Sequence, residues 1–417
     1  MINIKNRLFK FQISSILKVL LMLTLVIDCF SLYYKIIGYQ YTQIFTIAIC
    51  ILLIFTKSNG HIAITKNDLY ILLYIVFTFL YLLIFSDYKY LGFISGVFIP
   101  VILFFFLIFG CLSKKDILDL FFVFETIILI IAIISLILYF FGTNMRLIHP
   151  TGNYTADRIG WADFNYNSYY GIYFDGQRTF FFGNTITRNI GIFLEAPVYA
   201  YVLTNALFIE LYFKERPNWL ISIIFLITII TTYSTTAISI CAVFVYIFIY
   251  NNFMKKSLLK LLGPILLIVV LYFAGTIVAD KLTIGNDSGS ARKDDFIACL
   301  KTFINNPIIG TGYNNVRGVD PYRAAFRRTG KAGMSAGIPF VFANGGFFHG
   351  MLYLSPIILT IYQAIRNQKN GNVKLLGFVV IQTILLIFTI TEYTLLAELF
   401  LITEWFIAIH YCNITWK

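Results

Sequence analysis

Long apolar runs recur along this chain with short polar connections between them, and this pattern constrains the fold more than any other feature. Each run is close to the roughly 20 residues that a helix needs to cross a bilayer. Charged residues make up only 12% of the 417 residues, whereas soluble domains carry roughly 25%. The sequence therefore predicts an all-α polytopic membrane protein and excludes the class of soluble globular proteins.

The apolar runs predict about twelve transmembrane helices. The basic N-terminal segment leads directly into the first run without a small-residue cleavage site, so we expect this helix to be retained. Residues 219–250 could alternatively form a re-entrant segment in place of two crossings. The predicted helices cover residues 13–34, 38–56, 69–85, 92–112, 117–141, 190–213, 219–233, 237–250, 258–279, 338–362, 375–390 and 394–412.

Basic residues in the short connections predict the orientation, because such residues are retained on the cytoplasmic side during insertion. They are concentrated on one side, while the short loops opposite carry Lys35 and Lys89. Both termini are therefore predicted to be cytoplasmic. The +12 net charge is partly this topology signal, and no nucleic-acid partner is expected. The predicted organisation is transmembrane helices in 1–141, extracytoplasmic loop 1 in 142–190, helices in 191–279, extracytoplasmic loop 2 in 280–337, and helices in 338–417.

The first long loop is rich in aromatic side chains interleaved with Asn, Asp and Gly. Aromatic faces beside amides and carboxylates suit sugar rings, which offer apolar faces and hydroxyl edges. The alternative is an aromatic belt at the depth of the lipid headgroups. The aromatic residues are Tyr154, Trp161, Phe164, Tyr166, Tyr169, Tyr170, Tyr173, Phe174, Phe180, Phe181 and Phe182.

The second long loop carries a run of positive charge against the single acid Asp320. Such a patch would attract phosphate, and a long loop tolerates this charge on the outer side. Contact with anionic lipid headgroups is the alternative interpretation. The basic residues are Arg317, Arg323, Arg327, Arg328 and Lys331.

Three local patterns are more specific than composition. In Arg188-Asn-Ile-Gly-Ile-Phe-Leu-Glu195-Ala-Pro197 an arginine is predicted to open a membrane helix, with a carboxylate about two turns later on the same face. A carboxylate within a membrane span is costly, so Glu195 is a functional candidate. A buried ion pair or hydrogen bond that holds helices together is the structural alternative.

The second pattern is Ser288-Gly-Ser-Ala-Arg292, followed by an amphipathic stretch and Asn306-Pro-Ile-Ile-Gly310-Thr-Gly312-Tyr313-Asn314. It predicts a short outer helix that ends in a glycine-rich turn. Arginine offers a planar donor fork to phosphate oxygens, and glycines let a backbone approach a ligand closely. Asp294 and Asp295 could be a metal pair, but we interpret them as a solvated helix start.

The third pattern is Ser335-Ala-Gly-Ile-Pro339 followed by Asn344-Gly-Gly-Phe-Phe-His349-Gly, which predicts a histidine at the outer mouth of a helix. A lone histidine is more often structural.

The six cysteines are scattered and predict neither a disulfide framework nor a zinc site.

In this order, the three patterns resemble the superfamily of O-antigen and capsular polysaccharide polymerases (Wzy-type) and O-antigen ligases. The likeness covers about residues 140–360. It implies a GT-C-like fold and a metal- and nucleotide-independent glycosyltransferase without cofactors. The resemblance also implies location in the bacterial cytoplasmic (inner) membrane. The implied partners are lipid-linked oligosaccharide donor and acceptor, membrane lipid, a flippase and a chain-length regulator.

By the same resemblance, Arg188 and Arg292 hold the donor pyrophosphate and His349 activates the acceptor hydroxyl. Glu195 is a second candidate base. The remaining basic and polar candidates for pyrophosphate binding are Arg317, Arg323, Arg327, Arg328, Tyr313 and Asn314. The roles of Arg188 and Arg292 require their two guanidinium groups to converge over one cavity.

The chemistry is coherent without the family name, because a sugar on polyprenyl pyrophosphate already carries a good leaving group that fixed cations would stabilise. Polymerisation of repeat units into O-antigen or capsular polysaccharide is the favoured hypothesis, with ligation as the close alternative. A flippase or secondary transporter for lipid-linked sugars is a second class, although no internal repeat is evident. A membrane acyltransferase would need a cytoplasmic histidine site, for which His61 is the only weak candidate.

Overall fold

The computed structural model describes residues 2–58, 62–85, 90–155, 165–181, 184–253, 272, 287–324, 334–366, 373–388 and 393–410. The protein is mostly helical, as the sequence predicts. Among these residues, six helices are long and apolar enough to cross a membrane: Tyr39–Ser58, Lys66–Phe85, Ile94–Cys111, Lys114–Asn144, Ala196–Phe213 and Gly337–Gln363. Three shorter apolar helical stretches are Trp219–Thr231, Thr235–Ile249 and Gly377–Ile387.

The helices are numbered in chain order. They are α1 (Ile2–Asp28), α2 (Leu32–Ile37), α3 (Tyr39–Ser58), α4 (Lys66–Phe85), α5 (Tyr90–Phe93, Ile94–Phe98, Ile99–Phe105 and Phe106–Cys111), α6 (Lys114–Leu138 and Tyr139–Asn144), α7 (Ala196–Phe208 and Ile209–Phe213), α8 (Trp219–Thr231), α9 (Thr235–Phe253), α10 (Asp287–Asn305), α11 (Gly337–Arg366), α12 (Val373–Phe388) and α13 (Leu395–His410). Widened π-helical turns form the segments Ile94–Phe98, Phe106–Cys111, Tyr139–Asn144 and Ile209–Phe213.

Most of the twelve predicted helical ranges overlap an observed helix. The predicted range 258–279 lies outside the described residues apart from Tyr272. The predicted first helix, 13–34, ends earlier than expected, because Asp28 closes α1 and the separate short helix α2 begins at Leu32.

The chain divides into two compact units. The first comprises Met1–Phe124 and Asp295–Lys417, and the second comprises Glu125–Asp294. The α6 helix passes from the first unit into the second, and α10 returns to the first. Each unit is described here by itself.

In the first unit, ion pairs join three helices around the buried Lys18. Lys18 on α1 lies 2.7 Å from Asp116 and 3.0 Å from Asp119 on α6. Lys57 on α3 lies 2.6 Å from the same Asp116 oxygen. Buried charges are stable only when paired, so this cluster fixes the three helices together.

In the second unit, two small antiparallel sheets fill the predicted first loop. One contains β1 (Gly152–Tyr154), β2 (Tyr166–Tyr169) and β3 (Tyr173–Asp175), in the order β1-β2-β3. The other pairs β4 (Arg178–Phe181) with β5 (Asn184–Thr187). The all-α prediction did not anticipate these strands.

The aromatic residues of the three-stranded sheet are core residues. Tyr166, Tyr173 and Phe174 are fully buried, and Tyr169 is nearly so. Buried Asp175 accepts hydrogen bonds from Thr143 Oγ1 (2.8 Å), Asn167 Nδ2 (2.8 Å) and Tyr169 Oη (3.0 Å). The prediction of a sugar-stacking surface is therefore wrong for these four rings. Trp161, Phe164 and Phe182 lie outside the described residues.

Candidate functional site

The segment Arg188–Glu195 is not helical, which corrects the sequence interpretation. Helix α7 begins at Ala196, and Glu195 has an extended backbone (φ −141°, ψ 144°). Pro197 explains the boundary, because proline is tolerated in the first turn of a helix and not in its interior. The Ala196 N–H donates to Gln177 Oε1 (2.8 Å), and Glu195 makes no capping hydrogen bond of its own.

Arg188 is held in place by its backbone and its side chain. Its N–H donates to the Gln177 carbonyl (2.8 Å), directly after strand β5. Its Nε donates to the Thr232 carbonyl (2.8 Å) at the C-terminal end of helix α8. A cation is favoured at this end of a helix, because the carbonyl groups there carry partial negative charge.

The next residue, Asn189, is fully buried and fixes the backbone that carries Arg188. Its N–H donates to the Thr231 carbonyl (3.0 Å), and its Nδ2 donates to Thr231 Oγ1 (3.0 Å) and Ser135 Oγ (3.3 Å). Its Oδ1 accepts from the Gly191 N–H (3.1 Å). A side chain that uses both ends of its amide in this way leaves Arg188 little freedom to shift.

Arg292 on α10 reaches the same turn from a distant part of the sequence. Its Nη1 donates to Thr236 Oγ1 (3.2 Å) in the first turn of α9. Thr232 and Thr236 lie on either side of the short α8–α9 connection, so both arginines are anchored to one turn. Both side chains therefore reach the same turn, and the charge of Arg292 acts on Arg188.

The charges of this site act on one another. Burial and the nearby charge of Arg292 together lower the pKa of Arg188 to about 10, and Glu195 opposes both effects. Burial also lowers the pKa of Arg292, again opposed by Glu195. Two cations against one carboxylate leave an excess positive charge in a half-buried place, and such a place favours an anionic ligand.

An open groove of about 560 Å³ lies beside this turn in the same unit. Thr231 and Tyr233, which flank the anchor Thr232, are part of its wall. The lining combines apolar side chains with amide and hydroxyl groups: Tyr139, Phe140, Asn144, Ile186, Ile227, Ile230, Thr231 and Tyr233. A ligand with both polar and apolar surfaces fits such a lining.

The second and third sequence patterns meet in the first unit, where helix α11 is kinked at Gly346 (φ 62°, ψ −159°). The kink frees the carbonyls of Ala343 and Asn344, which accept from the N–H groups of Thr311 (3.0 Å) and Gly312 (2.9 Å). The Phe347 N–H donates to the Pro307 carbonyl (2.8 Å). The glycine-rich turn therefore replaces the helical hydrogen bonds that the kink removes.

The glycines of this turn serve backbone packing. A Cβ on Gly310 would lie 2.3 Å from the Asn344 carbonyl oxygen, and one on Gly346 would lie 2.2 Å from the Ile308 carbonyl oxygen. Within the described residues, the close approach that the sequence predicts is made to helix α11. It is not made to an open ligand site.

His349 lies within α11, three residues after the kink, and is fully buried. Its ring stacks on Tyr393 (6.0 Å between centroids) and lies near Tyr313 (6.3 Å) and Tyr353 (5.6 Å). Within the described residues, neither ring nitrogen makes a hydrogen bond of normal geometry. His349 therefore lies inside helix α11 and not at its mouth, where the sequence had predicted it.

The other predicted binding residues are dispersed. Tyr313 is buried beside His349, whereas Asn314 (φ 50°) and Arg317 are exposed. Arg327 and Arg328 lie outside the described residues.

Arg323 is fully buried and ion-paired, which corrects its interpretation as a surface phosphate ligand. Its Nε lies 3.1 Å from Asp295 Oδ1, and its Nη1 lies 3.0 Å from Asp320 Oδ1. Asp295 is fully buried and also accepts from Ser335 Oγ (2.6 Å). The interpretation of Asp295 as a solvated helix start is therefore wrong as well.

No protein-family model matches this chain, and no curated protein matches its sequence.

The sequence patterns single out the two arginines and do not single out the groups that anchor them. Thr231 and Thr236 belong to apolar helices, and Thr232 lies in the turn between them, so only the density of threonine near the end of one predicted span distinguishes them in the sequence. The patterns also omit Glu125 and Glu210, which both pair with Lys214 inside the second unit.

Proposed function

We propose that this chain polymerises polyprenyl-pyrophosphate-linked oligosaccharide repeat units into O-antigen or capsular polysaccharide at the outer face of a bacterial cytoplasmic membrane. The observation that carries the proposal is the convergence of Arg188 and Arg292 on the α8–α9 turn, outside the candidate membrane-spanning helices. Two guanidinium groups complement the negative charge of a diphosphate and offer it paired donors.

In the proposed reaction, a hydroxyl of the acceptor repeat unit attacks the anomeric carbon of the donor sugar. The bond between that carbon and the diphosphate oxygen breaks, and its electron pair leaves with the polyprenyl diphosphate. Arg188 and Arg292 stabilise the negative charge that develops on this leaving group. Because the donor already carries its leaving group, the reaction needs neither a nucleotide nor a metal ion.

Glu195 is the proposed general base. It lies within electrostatic range of both arginines, and its carboxylate can accept the proton of the attacking hydroxyl. The alternative base is His349, which the family resemblance suggests. Its complete burial among aromatic rings favours Glu195.

The groove beside the α8–α9 turn supports a sugar-bearing substrate. Tyr139, Asn144 and Tyr233 offer hydroxyl and amide groups, and Ile227 and Ile230 offer apolar surface. Sugar rings have both kinds of surface, and an oligosaccharide that enters this groove would contact Thr231 and Tyr233, which flank the Arg188 anchor Thr232.

The proposal is tested with the full-length protein, purified and reconstituted in liposomes with defined polyprenyl-pyrophosphate-linked repeat units. We expect the native protein to produce a ladder of polymer. Arg188→Ala and Arg292→Ala should each slow chain growth by about 10²–10³-fold, the usual effect of losing one stabilising donor to a developing anion. The matched control is Arg178→Ala, which removes an exposed arginine from strand β4 of the same unit and should leave the ladder unchanged.

Glu195→Gln separates binding from proton transfer, because it should lower kcat while the KM for the donor changes little.

Polymer of normal length from both arginine variants would contradict the proposed roles. A native protein that moves labelled repeat units across the bilayer without joining them would support the flippase alternative. Single transfer to a lipid core acceptor, without a ladder, would support the ligase.

A further inference from the structure

Helix α10 has two faces of different character. Its buried face carries Asp295, Ala298, Cys299 and Thr302, and it packs on the first unit against residues such as Val319 and Phe340. Its other face is both apolar and exposed, and it consists of Phe296, Ile297, Leu300 and Ile304. These positions fall on one side of a helix. Ile304 is 71% exposed, although large apolar residues are usually buried in water-soluble surroundings.

The same helix does not qualify as a membrane span. It is absent from the six long apolar helices of the described residues, and its sequence includes charged residues such as Lys293, Asp294 and Lys301. Exposed Lys301 stands beside Leu300 and Ile304, where its long stem can cover apolar surface while its amine stays in water. An amphipathic helix of this kind lies along a bilayer surface and does not cross it.

The exposed face of α10 continues into surfaces of two spanning helices. Ile308 follows α10 and is 63% exposed, and the adjoining Pro307 carbonyl accepts from Phe347 of α11. Phe347 is half exposed, and the ring of its neighbour Phe348 contacts Phe77 on α4 (5.6 Å). Both α4 and α11 belong to the candidate spans. The apolar face of α10 therefore borders surfaces that a bilayer must cover.

We propose that α10 is an interfacial helix, whose face of Phe296, Ile297, Leu300 and Ile304 inserts into the headgroup and upper acyl region of the membrane in which α4 and α11 are embedded. Helices of this class bury their apolar face about 5–10 Å into that boundary. The occupant of this surface is thus lipid and not another protein. Membrane contact of α10 would hold whatever reaction the chain catalyses.

One consequence concerns the proposed site. Arg292 lies one turn before Phe296 in the same helix. Insertion of the apolar face would hold this guanidinium near the depth of the phosphate groups, which is where the diphosphate of a lipid-linked sugar lies.

The test uses the full-length protein in nanodiscs of phosphatidylglycerol and phosphatidylethanolamine. A single cysteine is introduced as Ile304→Cys in a background without native cysteines and labelled with the fluorophore NBD. We expect blue-shifted emission and strong quenching by lipids that carry a nitroxide near the headgroup, with weaker quenching by a nitroxide near the acyl end. The matched control is Arg317→Cys, an exposed position of the same unit outside this face, which should show neither effect.

A second measurement covers the case in which the cysteine-free background does not fold. Benzoyl-phenylalanine at position 304 of the protein with its native cysteines should form photo-adducts with phospholipid, detected by mass spectrometry. A water-like emission at 304, equal to that at 317, would overturn the proposal. Photo-adducts with a second copy of the chain in place of lipid would also overturn it.

Discussion

Arginine takes two different roles in this protein, and the surroundings of each side chain decide which. Arg188 and Arg292 donate to one carbonyl and one hydroxyl oxygen, and the carboxylate near them does not balance their charge. Arg323 is fully buried and paired with two carboxylates, Asp295 and Asp320. The first arrangement is suited to bind an anion, and the second stabilises the fold.

The residue-scale prediction concerns this buried pair. Arg323→Met should lower the free energy of unfolding by about 3–5 kcal/mol, because it leaves Asp295 buried without its cation. The measurement is thermal unfolding of the purified protein in detergent. Exposed Arg317→Met is the control and should stay within about 0.5 kcal/mol of the native protein. Equal stability of the two variants would show that the Arg323 pair contributes little. The double variant Arg323→Met with Asp295→Asn should recover part of the loss, since no charge then remains buried and unpaired.

At the scale of elements, the kink in α11 and the turn that follows α10 depend on each other. Gly346 has a backbone conformation that is essentially restricted to glycine. The carbonyls that the kink frees find their donors in the turn around Gly310 and Gly312. The two sequence patterns that carry these glycines are therefore one structural assembly.

We expect Gly346→Ala and Gly310→Ala to lower the free energy of unfolding by more than the cost of a positive φ alone. A non-glycine residue in such a conformation costs about 1–3 kcal/mol, and here the added Cβ also meets backbone atoms of the partner segment. Thermal unfolding again provides the measurement. Gly171→Ala is the matched control, because Gly171 also has a positive φ (71°) and a Cβ there would meet nothing within 4 Å. A Gly171 variant as unstable as the other two would contradict this account.

For the molecule as a whole, the six long apolar helices found in the described part of the chain indicate a membrane-embedded protein, and its orientation is a prediction from the basic residues. We expect both termini in the cytoplasm and the segment with strands β1 to β5 on the outer face. Exposed Tyr170 lies in this segment, while exposed Lys115 lies in a connection predicted to be cytoplasmic.

The whole-molecule prediction uses these two positions. In intact cells with an accessible membrane surface, Tyr170→Cys should react with a membrane-impermeant maleimide, and Lys115→Cys should react only after lysis. Labelling is detected by a mass shift on gels. The reverse pattern would place the site of Arg188 and Arg292 on the cytoplasmic side and would contradict a polymerase acting at the outer face.

Local sequence was sufficient to predict the membrane class and the positions of most helices. These features depend on local composition and on apolar runs, which a bilayer selects by length alone. It did not determine where Glu195 lies relative to α7, because Pro197 and the Gln177 side chain decide where that helix starts.

Which polar residues meet depends on how distant parts of the chain pack together. Asp295 and Arg323, or Arg188 and Thr232, are far apart in the sequence or hidden in apolar runs, so no spacing rule pairs them. Burial decides whether a candidate side chain can bind a ligand, since the same histidine or tyrosine can bind a ligand at a surface or fill a core. The aromatic rings of the first loop and His349 are in the core because the chain packs around them, and that packing is not a local property of the sequence.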